Sequence, residues 1–279
     1  MLSPSSPSLQ ITDLFKGDLQ LTSPPNIYFE LQHVIEDPNK SFIDVGAIIE
    51  NDPSLTMRLL KIVNSAFYNF PAQIGSITRA ISIIGNRELQ NLVLATVIID
   101  RFSSQPGGLM TMKEFWARSV LCALLSRELS RFNKISKDMD AIFVCGLLHD
   151  IGQLVFFRRI PVLTREVGLF VEANNVDEIF AEQNIIGFNH YDTGAELARH
   201  WNLPKMIIES IGQHANSEYA GEFADVANMV RMANKISKLD ADKEQPADIC
   251  TDIPADELAK IMAKTHDQFE QIFRLFYPN

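Results

Sequence analysis

The chain lacks several features that would assign it to a familiar functional class. It has only three cysteines, Cys122, Cys145 and Cys250, with no CxxC pair and no zinc-type spacing. That excludes a disulfide framework and a cysteine-based zinc site of recognisable spacing. Cys122 and Cys145 lie in apolar helical runs and read as buried free thiols, which suits a reducing, cytoplasmic compartment. Positive charge is also short: 25 Lys and Arg stand against 35 Asp and Glu, a net −10. A phosphate backbone needs clustered cations, so no nucleic-acid partner is expected. No run reaches the roughly 20 apolar residues of a membrane span. The start, MLSPSSPSLQ, lacks the basic and then apolar blocks of a signal peptide, so no membrane association is expected. There is no P-loop, no GxGxxG after a strand and no GxSxG elbow, so nucleoside-triphosphate, dinucleotide and serine-hydrolase readings have no anchor.

What is present is helical periodicity, with no strand-and-hairpin series, and the fold class expected is all-α. Ser41 with Asp44 and Thr111 with Glu114 form capping-box starts. Ser54 is expected to cap a run from Leu55 to Phe67. Further helices read as Ile27 to Glu36, Ile77 to Ile84, Glu88 to Phe102 and Thr111 to Phe132. One helix is expected from Ser136 past His149 and Asp150 toward Arg159. The rest read as Val162 to Ala173, Val176 to Ile186, His190 to Trp201, Lys205 to His214 and Phe223 to Leu239. Gln105-Pro106-Gly107-Gly108 is the clearest linker. The chain therefore divides into a loose tail over 1–20, a helical subdomain over 21–108, a second over 109–240, and a loop with a closing amphipathic helix over 241–279. In that helix Leu258, Ile261, Met262, Phe269, Ile272, Phe273 and Phe276 share a face, which fits either the protein's own core or a homodimer surface.

The residues able to carry chemistry are histidines and an aspartate. Leu147-Leu148-His149-Asp150-Ile151-Gly152 sets an imidazole beside a carboxylate after an apolar run. A buried pair of this kind needs partners, and a divalent metal would supply one. His190, at a helix start, and His214, at a helix end, are further candidates. Each also has a plainer reading: a hydrogen-bonded structural pair for His149 and Asp150, a solvated helix start for His190, and a dipole-favoured helix end for His214. His33, His200 and His266 sit in polar contexts and read as surface residues.

The run Glu50 to Tyr68, with Asn64-Ser65-Ala66-Phe67-Tyr68 at its end, resembles the signature of the HDOD family, the HD-related output domain. So do Ser76-Ile77, Ala80-Ile81, Gly85 and Leu92-Val93-Leu94. Phe115-Trp116, Gly146 to Gly152, Gly187-Phe188-Asn189-His190 and Trp201-Asn202-Leu203-Pro204 match as well. The likeness covers roughly residues 20 to 240. It implies a multi-helix HD-like fold with an N-terminal helical subdomain, and a bacterial signalling role beside two-component or second-messenger proteins. It also implies kinship with metal-dependent phosphohydrolases, in which an earlier His, the HD pair, extra histidines and a later Asp surround metal.

Against that pattern the chain departs twice. Arg118 stands where the family often has a histidine two residues after Trp116, and Asn234 stands where the phosphohydrolases carry the later Asp. Together the changes make the pocket two charge units more positive. The expectation is that Arg118 pairs with Asp150 in place of a metal and that the pocket takes a small anionic ligand or none. The leading reading is a non-catalytic regulatory module with no cofactor. The alternative is a metal-dependent phosphodiesterase or phosphatase holding iron, manganese, nickel or zinc on His149, Asp150, His190 and His214.

Overall fold

A computed structural model describes residues 9–18, 21, 23–104, 110–133, 139–239, 245–250 and 252–278. Among these the regular structure is helical, with no strand. Before residue 105 lie α1 (Asn26–Glu36), α2 (Phe42–Glu50), α3 (Pro53–Val63), α4 (Ile77–Ile84) and α5 (Asn86–Phe102). After residue 109 follow α6 (Met112–Phe132), α7 (Met139–Leu148), α8 (Ile151–Arg159), α9 (Pro161–Asn174), α10 (Glu178–Ile185), α11 (His190–His200), α12 (Lys205–Gln213) and α13 (Ala224–Ser237). The short α14 (Pro246–Ile249) interrupts the segment expected to be loop, and α15 (Ala255–Phe276) closes the chain. The linker over 105–108 and the start at Ser136 lie outside the described residues.

Both expected capping boxes form, with each hydroxyl and carboxylate serving the other's backbone N–H. Three boundaries differ from expectation. Asp52, rather than Ser54, caps α3, because its Oδ1 accepts from the N–H groups of Ser54 and Leu55 and Pro53 takes the first helical position. The same helix ends at Val63. There Asn64 turns away and its amide brackets Ile74, donating to the carbonyl at 2.8 Å and accepting from the N–H at 2.7 Å. The third difference is a break between α7 and α8 at His149-Asp150.

The Asn64 to Tyr68 turn is tied to α6 and α15. Arg127, on α6, donates to the Phe67 carbonyl at 3.1 Å and lies 3.5 Å from the Phe67 ring centroid. From α15, Gln268 donates to the Ala66 carbonyl and Gln271 accepts from the Ala66 N–H. The apolar stripe of α15 packs within this chain: Leu258, Ile272 and Phe276 are buried, and Phe276 lies against Phe143.

Of the tail expected to be loose over 1–20, the described residues 9–18 pack against the fold. Residues Ile11–Phe15 form a 3₁₀ turn with Leu14 and Phe15 buried, and Phe15 stacks on His200. Asp18 takes two hydrogen bonds from Arg158, and the Trp201 indole donates to the Leu21 carbonyl at 2.8 Å. These side chains supply the burial and pairing that a polar-looking tail does not advertise. The apolar stretch Ala141–Arg159 reaches membrane-span hydropathy, yet 89% of it is buried inside the fold.

Candidate functional site

His149 and Asp150 occupy the break between α7 and α8, where helical hydrogen bonding lapses. His149 Nδ1 faces the Gly146 carbonyl oxygen at 2.7 Å. Asp150 stands at the N-cap of α8, yet its side chain makes no capping bond. It turns inward instead, and both residues are buried. Gly152 permits this. A Cβ there would lie 1.8 Å from the His190 carbonyl oxygen and 2.7 Å from the Gly194 nitrogen. The close crossing of α8 and α11 delivers His190, the first residue of α11, to Asp150.

The structure brings the four expected residues together around the Asp150 carboxylate. Oδ2 lies 3.1 Å from His149 Nε2, and Oδ1 lies 3.4 Å from His190 Nε2 and 4.0 Å from His214 Nε2. Each imidazole has its other nitrogen committed. His149 uses Gly146, His190 Nδ1 meets the Glu182 carboxylate at 2.8 Å, and His214 Nδ1 points at the Ser210 and Ile211 carbonyls. The Tyr191 ring packs edge-on against His190 and His214.

Arg118 is not the cation paired with Asp150. It is exposed, on the rim of a cavity of about 20 Å³ that Asp150 also lines. That volume admits about one water. Lys238, which follows Asn234 by one turn of α13, places Nζ 3.0 Å from Asp150 Oδ2. Its side chain keeps 33% of its surface in solvent while the ammonium reaches inward. The correction is geometric: α6 turns position 118 outward, and the end of α13 points position 238 in. Asn234 is buried, its Nδ2 is 3.4 Å from His214 Nε2, and its Oδ1 has no hydrogen-bond partner.

The electrostatics follow from this packing. Burial alone would raise the Asp150 carboxyl, but His149 and Lys238 beside it hold it well below the usual carboxylate range. Burial disfavours a charged His190, and the Glu182 and Asp150 carboxylates outweigh it, lifting the imidazole to about 10. His149 is shifted upward for the same reason, by Asp150. His214 goes the other way, down to about 3, through burial and the positive charge of His149. Burial raises Glu178, which accepts from Gln153 at 3.2 Å. Glu178, Glu182 and His190 bring donor atoms within 4.8 Å of one another. Glu182 is already occupied, by the His190 ring and the His190 backbone N–H.

In donor type the cluster suits a borderline divalent metal. Three imidazoles whose remote nitrogens are fixed by carbonyl or carboxylate are the arrangement that ligating histidines take. His149 Nε2 is buried without a hydrogen-bond partner, since its contact to Asp150 lies off the line such a bond needs. In charge the cluster does not suit one. Its central carboxylate carries its own ammonium, and the residue beside His214 is an amide. As these side chains stand, a divalent ion does not fit.

Lys238, Glu182, Glu178, Gln153 and Tyr191 were not among the expected site residues. A faint signal existed for Lys238, which shares a helix face with Asn234 at a spacing of four.

The HDOD domain family profile matches residues 21–217. The chain belongs to the HDOD family. An HDOD domain protein of unknown function from Geobacter sulfurreducens superposes with a TM-score of 0.76 at 21% identity, covering 96% of this chain and 97% of that one. A supposed phosphohydrolase from Shewanella amazonensis SB2B gives 0.77 at 24% identity, covering 94% and 97%. At such identities the likeness speaks for the fold, which is the all-helical HD-like arrangement. An uncharacterized protein of Treponema pallidum (strain Nichols) is 28% identical over 211 residues, 75% of this chain and 40% of its own length. The Bacillus subtilis (strain 168) protein YuxH, also uncharacterized, is 29% identical over 178 residues, 61% of this chain and 42% of its own. The HDOD chain thus spans less than half the length of either relative.

Proposed function

We propose that this chain is a non-catalytic HDOD signalling module, in which a closed network of side chains stands where related phosphohydrolases hold metal. The observation that carries this reading is the Lys238 ammonium 3.0 Å from Asp150 Oδ2. A divalent ion about 4 Å from that ammonium would meet a repulsion of roughly 8 kcal/mol at an effective dielectric near 20. To bind, it must first expel Lys238 into solvent. It must also displace protons from His149 and His190, because metal takes neutral imidazole. The Asp150 and Glu182 carboxylates in the cluster already have cationic or N–H partners.

Such a module acts by binding, and signalling proteins of two-component or second-messenger systems inside the cell are the partners this reading favours. A signal-transduction role is the description carried, as a supposition, by a Marinobacter aquaeolei VT8 protein of similar fold, TM-score 0.71 at 18% identity.

One observation favours the second reading, a metal-dependent phosphohydrolase: three Nε2 atoms converge on one carboxylate, and His149 Nε2 lacks a hydrogen bond. Calorimetric titration with Mn²⁺ separates the two. The regulatory reading expects no saturable binding in the unaltered chain and clear binding in Lys238→Met combined with Asn234→Asp. Tight binding in the unaltered chain, with phosphodiester turnover lost in His149→Ala, would replace it with the enzymatic one.

A further inference from the structure

Helices α9 and α10 form a hairpin on the outside of the molecule. Asn175 takes the left-handed conformation, φ 50° and ψ 47°, and ends α9. Asp177 then opens α10, its Oδ1 accepting from the Ile179 and Phe180 N–H groups at 2.8 and 3.3 Å. The inner face of α9 is apolar: Val167 is buried, and Leu163, Phe170 and Val171 pack on the core. The inner face of α10 holds Ala181 and Glu182, both buried.

The outer face is apolar too. Val162 is 78% exposed, Leu169 50% and Phe180 55%. Single exposed apolar residues are ordinary, but a group on one face marks a surface that another molecule covers. On α9 the positions 162, 165, 169 and 172 recur at intervals of three and four, so they follow one line along the helix. All four are exposed. Val162 and Leu169 therefore alternate with Arg165 and Glu172. No ion pair ties either charge to another described residue.

The order of these residues is self-complementary. Arg165 precedes Leu169 by four positions and Glu172 follows it by three, about 6 Å and 4.5 Å along the axis. At 100° per residue the two charges fall on the same flank, with Val162, Leu169 and Ala173 on the other. A two-fold axis at Leu169 lays two α9 helices antiparallel. It brings each Arg165 to within about 1.5 Å, along the axis, of the level of the opposing Glu172. Leu169 then meets its own copy, and Val162 runs toward the opposing Ala173. Every contact occurs twice, as in an isologous interface. An unrelated partner would have to supply this charge order independently, whereas a second copy carries it already.

We infer that the outer face of the α9–α10 hairpin is a self-association surface for a second copy of this chain, docked antiparallel about Leu169 with Arg165 and Glu172 paired across the two-fold axis. At about 21 Å of helix and about 10 Å of width for each of two helices, the face covers roughly 400 Å² on each copy. That is the low end for specific interfaces and fits a reversible dimer. The same short α10 carries Phe180 outside and, inside, the Glu182 carboxylate that meets His190.

Sedimentation equilibrium of the full chain between roughly 1 and 200 μM, at low salt, tests this. A monomer–dimer equilibrium with a midpoint on the order of 10 μM is expected. Leu169→Glu should weaken it about tenfold or more, because two carboxylates then face each other. Arg165→Glu and Glu172→Arg should each weaken it about tenfold, and the two together should restore it to within about threefold of the parent. Ile43→Asp, at an equally exposed apolar position on α2, should change nothing. These positions are exposed, and far-ultraviolet circular dichroism checks that each variant is folded. The inference is overturned by a monomer at every concentration, by a dimer that Leu169→Glu leaves intact, by loss of the dimer in Ile43→Asp, or by a double reversal no better than the single ones.

Discussion

Gly152 and His190 approach so closely that a Cβ on the first would lie 1.8 Å from the carbonyl oxygen of the second. This contact sets the depth of the α8–α11 crossing and hence the position of the His190 ring against Asp150. Gly152→Ala forces two backbones apart, and the neighbour is no flexible side-chain tip. The expected loss is more than about 3 kcal/mol, beyond ordinary overpacking, read as a lower urea midpoint. An unchanged midpoint would mean that the crossing is looser than described.

Arg127 holds the Asn64 to Tyr68 turn to α6 by a hydrogen bond to the Phe67 carbonyl and a cation–π contact with its ring. Arg127→Met should cost roughly 2–4 kcal/mol, since it strands the carbonyl and loses the stacked charge. Arg127→Lys should recover less than half of that, because an ammonium cannot stack as a planar guanidinium does. Chemical unfolding of the three proteins decides it, and full recovery by lysine would count against the stacking account.

The Asp18 pair gives a pH dependence of known sign. Burial would raise the Asp18 carboxyl, but hydrogen bonds from Arg158 and from the Leu21 N–H, with the Arg158 and Arg159 charges, bring it below its ordinary value. A depressed carboxyl stabilises the fold above its unfolded pKa, near 3.9, and loses that contribution as pH falls through the folded value. Asp18→Asn should therefore be less stable than the parent by about 1 kcal/mol at pH 6–8. The gap should begin to narrow below about pH 4 and close only as pH falls past the depressed folded value. A gap that does not narrow at all as pH falls would show that packing, rather than charge, ties the N-terminal residues down.

What the sequence made legible was local. Ser41 with Asp44 and Thr111 with Glu114 mark helix starts because each box closes within four residues. The break at His149-Asp150 was not legible, since apolar residues flank the pair on both sides, Ala141 to Leu148 and Leu154 to Phe157, and no proline or turn signal marks it. It is tertiary structure that diverts His149 to the Gly146 carbonyl and Asp150 into the cluster. The four histidine and aspartate positions could be named from their motifs. Their charge partner could not, because whether position 118 or 238 points inward depends on how α6 and α13 are rotated. Glu182 escaped notice for a related reason. A carboxylate on a short helix looks solvated until the fold lays His190 across it.

The central claim is that the Lys238 ammonium neutralises Asp150 and keeps a divalent ion out of the cluster. Elemental analysis of protein purified without added metal, beside Asp150→Ala, tests it most directly. The account predicts near-zero manganese, iron, nickel and zinc in both. About one equivalent in the parent, lost in Asp150→Ala, would contradict it and make the chain a metalloprotein.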